Sequence, residues 1–79
     1  MKKWEHTPYF PLSRNRPGRK CIKDEWILAT ANEPDRIEHQ PNGRISHFKR
    51  IADFGGRWLR VILDDENTIH NAYFDRMIQ

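Results

Sequence analysis

The chain has 79 residues, 37% of them hydrophobic and 32% charged, with a formal net charge of +3. That length fits one domain near the lower end of what folds without staples, and the composition is globular rather than disordered. No apolar run is long enough for a membrane span, and a pI near 9.4 directs attention to acidic partners.

Residues 1–21 read as an irregular, proline-rich basic arm. Lys2 and Lys3 are followed by no apolar stretch, so no secretory signal is expected. Pro8, Pro11 and Pro17-Gly18 break this region into short pieces, and any helix in it is brief, starting at Pro11. Tyr9, Phe10 and Leu12 are expected to tuck against the body. Residues 1–23 carry seven basic side chains against Glu5 alone, whereas residues 24–79 carry seven against ten acids. Arg14, Arg16, Arg19 and Lys20 are therefore the candidate nucleic-acid-binding residues; the competing reading is a solvated segment. Cys21 stands alone, cannot close an internal disulfide and suits a cytoplasmic home.

The main helix is expected over residues 22–33, with Ile22, Trp26 and Ala29 on one face and Ile27 and Thr30 beside them. Asp24 and Glu25 sit where the helix dipole favours acids, and Pro34 ends the helix. From residue 35 to 75 the period changes to two. Pro41-Asn42-Gly43 marks a hairpin built on a type I turn and a left-handed glycine. Gly55-Gly56 marks a second turn, residues 58–63 a central strand, and Asp65-Glu66-Asn67 a third turn before Thr68–Phe74. The fold class that follows is α+β: one main helix packed on a four-stranded antiparallel β-meander.

Four histidines lack cysteine partners and the spacings of zinc motifs, so neither a metal nor a cofactor is expected. Cys21 beside Lys20 and Lys23 would favour a thiolate, but a buried apolar cysteine is the stronger reading. A four-residue loop at Gly55-Gly56 and a three-residue last turn would put Ile37, His39, Ile45, His47, Lys49, Ile51, Trp58, Arg60, Ile62, His70, Ala72 and Phe74 on one face. His47, Lys49, Arg60 and His70 would then gather around one phosphate, with imidazole as acid or base and guanidinium on the developing charge. A two-residue turn at Asp65-Glu66 would send His70 to the other face. Cross-strand ion pairing on a solvated face is the competing explanation of the same residues.

Residues 42–76 carry Gly43-Arg44, Gly56, Leu59-Arg60-Val61 and Thr68-Ile69-His70-Asn71-Ala72-Tyr73-Phe74-Asp75-Arg76. This pattern resembles the RelE/ParE- and BrnT-like small toxins of bacterial toxin–antitoxin modules. Asp65-Glu66 departs from it, since relatives tend to have Asp-Gly there. The resemblance implies a helical layer on an antiparallel sheet, a metal-independent ribonuclease acting on RNA or at the ribosome, and a co-encoded antitoxin. It adds Arg76 to the candidate catalytic set of His47, Lys49, Arg60 and His70. The alternative is a non-catalytic binding protein, a homodimer among its forms, with no membrane contact in either case.

Overall fold

The computed structural model describes residues 4–17 and 19–76. Four strands follow the main helix in chain order: β2 (Arg36–His39), β3 (Ile45–Ile51), β4 (Arg57–Asp65) and β5 (Thr68–Asp75). They form the expected antiparallel meander, with β4 central. A further strand, β1 (Glu5–His6), pairs parallel with β5, so the sheet is five-stranded and mixed, in the order β1-β5-β4-β3-β2.

That parallel strand corrects the irregular arm. Glu5 N–H donates to Asn67 C=O at 2.9 Å and Thr7 N–H to Ile69 C=O at 3.0 Å. A short helix α1 (Tyr9–Arg14) follows, two residues earlier than the start expected at Pro11. Its Tyr9 and Phe10 are half-buried as expected, but Leu12 is 68% exposed, because α1 turns Phe10 and Ser13 inward instead. Lys2, Lys3 and Gly18 lie outside the described residues.

The main helix α2 spans Asp24–Asn32. It begins two residues later than expected, since Lys23 is extended at its N-terminus; Ile22 is buried in the core just ahead of it. Trp26, Ile27 and Ala31 pack against Ile51, Leu59, Val61, Leu63, Ile69 and Ala72. Nine residues would scarcely hold helical structure alone in water, so this apolar contact is what keeps α2 formed.

The Pro41-Asn42-Gly43 turn is as expected: Gly43 N–H donates to Gln40 C=O at 3.0 Å, and Gly43 takes φ 87°, the left-handed region glycine enters freely. The next connection differs. Ile51 pairs with Arg57, so residues 52–56 intervene: a 3-10 turn over Ala52–Phe54, then Gly55 and Gly56 at φ 67° and 70°. This is one residue more than the four-residue loop, and one residue reverses every side chain beyond it. Leu59, Val61 and Leu63 therefore share the face of His47 and Lys49 under α2, whereas Trp58, Arg60 and Ile62 point the other way with Arg50, Phe48 and Ser46.

The last turn is Glu66-Asn67, closed by Asp65 pairing with Thr68 and by Asn67 N–H donating to Asp65 Oδ1 at 2.8 Å. It is neither the three-residue turn nor the Asp65-Glu66 turn. Two irregularities follow: Asp65 pairs with Thr68 but Leu63 with Ile69, which passes over Asp64, and Ile62 pairs with Asn71, which leaves His70 as an extra residue. Beyond it Ala72 and Phe74 oppose Val61 and Leu59 on the covered face.

Candidate nucleic-acid interface

Residues directly opposed across an antiparallel ladder point to the same face. Arg36 opposes Phe48, Phe48 opposes Arg60, and Arg60 opposes Tyr73. One side chain from each of β2, β3, β4 and β5 thus forms a row across the sheet, on the face turned away from α2. The row alternates cation and ring. The guanidinium carbons of Arg36 and Arg60 lie 5.9 and 5.1 Å from the Phe48 ring centre, and Arg60 lies 5.9 Å from Tyr73. Arg19, on the connection before α2, closes the row 5.1 Å from the other ring contact, Tyr73.

Phe48 is only 1% exposed yet stands outside the apolar cluster beneath α2. Its burial fits a cover of arginine, whose flat, weakly hydrated guanidinium stacks on aromatic rings. Arg60 is fixed further: Nε donates to the buried Ser46 Oγ at 3.0 Å, and NH1 donates to Asp75 at 3.2 Å. Arg19 donates to Asn71 Oδ1 at 2.9 Å. Arg60 and Arg36 each also pair with a carboxylate, Asp75 and Glu38, whereas Arg19 is held by a ring and an amide, so the row as a whole is only partly neutralised.

The row runs into a cleft of about 360 Å³ lined by Arg19, Cys21, Phe54, Arg57, Tyr73, Phe74 and Arg76, with Pro17 at its rim. Among the described residues no carboxylate lines it. Arg57 lies 5.5 Å from both Phe54 and Phe74, which stack on each other at 4.4 Å. Among the described residues Arg19, Arg57 and Arg76 make no ion pair. Cys21 is exposed here, which corrects the buried reading.

The four residues expected to converge on one phosphate are divided. His47 Nδ1 lies 3.1 Å from Ala31 C=O and Lys49 Nζ donates to Glu33 C=O at 2.9 Å, so both serve the C-terminal end of α2. A carbonyl only accepts, which places the proton of His47 on Nδ1. Arg60 is on the opposite face. His70 turns to the N-terminal segment, with Nδ1 2.9 Å from Thr7 Oγ1 and its ring stacked on Tyr9 at 5.0 Å. Arg76 lines the cleft.

Of the basic candidates, Arg19 joins the row, Arg16 lies over Tyr9 at 5.7 Å, and Lys20 is exposed. Arg14 pairs with Asp24 at 2.8 Å and ties α1 to α2. Arg36, Phe48 and Arg57 were not singled out by the sequence, and Tyr73 only within the pattern that carries the resemblance. Correct counting of the connection at residues 52–56 would have aligned Phe48, and through it Arg36, with Arg60; Tyr73 opposes Arg60 only through the Glu66-Asn67 turn. Among the described residues no group of His, Cys, Asp or Glu comes together as a metal site would require. Comparison with family models, with curated proteins and with solved structures finds no match for this chain.

Proposed function

We propose that this chain is a toxin-like RNA-binding protein that takes single-stranded RNA along the face of the sheet opposite α2 and around the end of the sheet into the cleft, where Arg57 and Phe74 come from the α2 side. The observation that carries the reading is the row Arg36, Phe48, Arg60, Tyr73 and Arg19, which leads into a cleft lined by arginines and rings. Single strands are held by stacking on aromatic rings and guanidinium planes together with charge along the backbone. Arg36 and Arg60 present such planes, because Phe48 holds them from beneath; Phe48 is a positioning residue, too covered to meet a base itself. Arg19, Arg57 and Arg76 supply charge for phosphates, and the resemblance to RelE/ParE-like toxins supplies the cellular setting of a mobile toxin–antitoxin module.

Binding without cleavage is the version the geometry favours, because His47 and Lys49 serve α2 on the far face from Arg60. Cleavage would fall to His70, which Thr7 and Tyr9 orient. Fluorescence anisotropy with a labelled single-stranded RNA tests the proposal. Affinity should fall as salt rises, and each of Arg57→Ala and Arg76→Ala should reduce the slope of log K against log salt by about 0.7, the share of one phosphate contact. No binding at low salt, or slopes unchanged in both variants, would reject it.

A further inference from the structure

β2 is an edge strand, and its free side belongs to residues that complement their own sequence. Gln40 N–H donates to Arg44 C=O at 2.8 Å, and the same register continues through Glu38 with Ser46 and Arg36 with Phe48. In an antiparallel ladder the bonding residues alternate. The N–H and C=O groups of Arg36 and Glu38 therefore point to β3, whereas those of Ile37 and His39 point out of the sheet. Pro34 and Pro41 bound this free stretch, so a partner strand has Arg36–His39 to pair with. On the α2 side Ile37 is 51% exposed, at the rim of a groove with Trp4, Ile45 and His47.

We infer that this edge pairs with β2 of a second copy, antiparallel and centred on Ile37. In that register Ile37 meets Ile37 of the second copy, and the outward N–H and C=O of the two Ile37 residues bond each other. Arg36 then opposes Glu38 of the second copy, and Glu38 opposes its Arg36. Both pairs are of opposite charge and lie on one face, where Arg36 and Glu38 already pair within the strand at 2.9 Å. Sliding the strands to the next symmetric register sets Glu38 against Glu38 in one direction and Arg36 against Arg36 in the other. Like charges directly opposed disfavour pairing. The charges thus select one register of one partner, which a generic edge guarded against aggregation would not need. The two-fold axis stands perpendicular to the sheet, so the Arg36–Phe48–Arg60–Tyr73 rows of both copies share one surface. This pairing stands independently of the RNA reading.

The interface is short, so a weak dimer is expected, with a dissociation constant of roughly 10–100 μM. Sedimentation equilibrium of the full chain across that range is the measurement. Arg36→Glu makes both positions acidic and Glu38→Arg makes both basic; each alone should weaken self-association by about tenfold or more. An equimolar mixture of the two should recover the dimer, because unlike copies restore both opposed pairs. The double variant Arg36→Glu/Glu38→Arg keeps the ion pair within the strand and should self-associate like the wild type. Far-ultraviolet circular dichroism checks that each variant folds. A wild-type chain that stays monomeric throughout the range overturns the proposal. So do single variants that dimerise as the wild type does, or a mixture that fails to associate while the double variant fails as well.

Discussion

The two faces of the sheet bury side chains by different means. Under α2 the cover is apolar: Leu59, Val61 and Leu63 are nearly inaccessible, and Trp26, Ile27 and Ala31 close over them. On the other face Phe48 and Ser46 are as deeply buried, in the company of arginines whose stems and planes cover apolar surface while their charge stays near water. A face of the first kind holds the domain together. A face of the second kind is covered and still able to attract an anion, so stability and binding can be separated by mutation.

The largest contrast comes from the covered face. Leu59→Ala removes a fully buried side chain from beneath α2 and should cost about 2–5 kcal/mol, read from the urea midpoint. In a domain of this size such a loss approaches the whole stability. RNA affinity of the fraction still folded should be unchanged. A drop in affinity with no loss of stability would mean that the faces are not separate in function.

A middle-sized effect should come from Asp75→Asn on the opposite face, with stability and binding moving in opposite directions. Asp75 pairs with Arg60, and their side chains are 10% and 20% exposed. Removing the carboxylate charge should cost about 1–3 kcal/mol, since a largely buried charge loses its partner. RNA affinity at low salt should rise, because Arg60 is then no longer neutralised. Thermal melts and anisotropy on one preparation test both signs, and a fall in affinity would assign Asp75 to the RNA contact itself.

Much of the fold was legible because it rests on local chemistry. Pro41-Asn42-Gly43 fixes the first hairpin, Pro34 ends the helix, and a run over residues 58–63 that is apolar on nearly both faces gives the central strand. What the sequence concealed depends on counting and on long-range pairing. A 3-10 turn ahead of two glycines added one residue to a connection, and that residue carried Arg60 away from His47 and Lys49. The last register follows from a Glu66-Asn67 turn whose acidic residues fit several turn types, since the irregularities at Asp64 and His70 cancel each other. β1 has two residues, too few for any period, and owes its place to pairing with β5, far along the chain. The row across the sheet was invisible for the same reason, since its members come together only once the register is known.

The smallest effect tests the residues that moved furthest from expectation. His47 Nδ1–H and the Lys49 ammonium donate to the carbonyls of Ala31 and Glu33, at the end of α2 where helical carbonyls lack partners within the helix. A donor there satisfies an orphan acceptor, and a positive charge there suits the negative end of the helix dipole. His47→Ala should therefore cost about 0.5–1.5 kcal/mol, the net worth of one such hydrogen bond, and leave RNA binding untouched. His70→Ala serves as the partner measurement, because it removes a ring stacked on Tyr9 and bonded to Thr7 next to Asn71, which holds Arg19. If the chain only binds RNA, neither substitution changes the integrity of a labelled strand after long incubation. If it cleaves, His70→Ala alone should slow product formation, by roughly 10²–10⁴ for a lost acid–base group. Loss of cleavage in His47→Ala at unchanged stability would return catalysis to the covered face and break the division between the two faces.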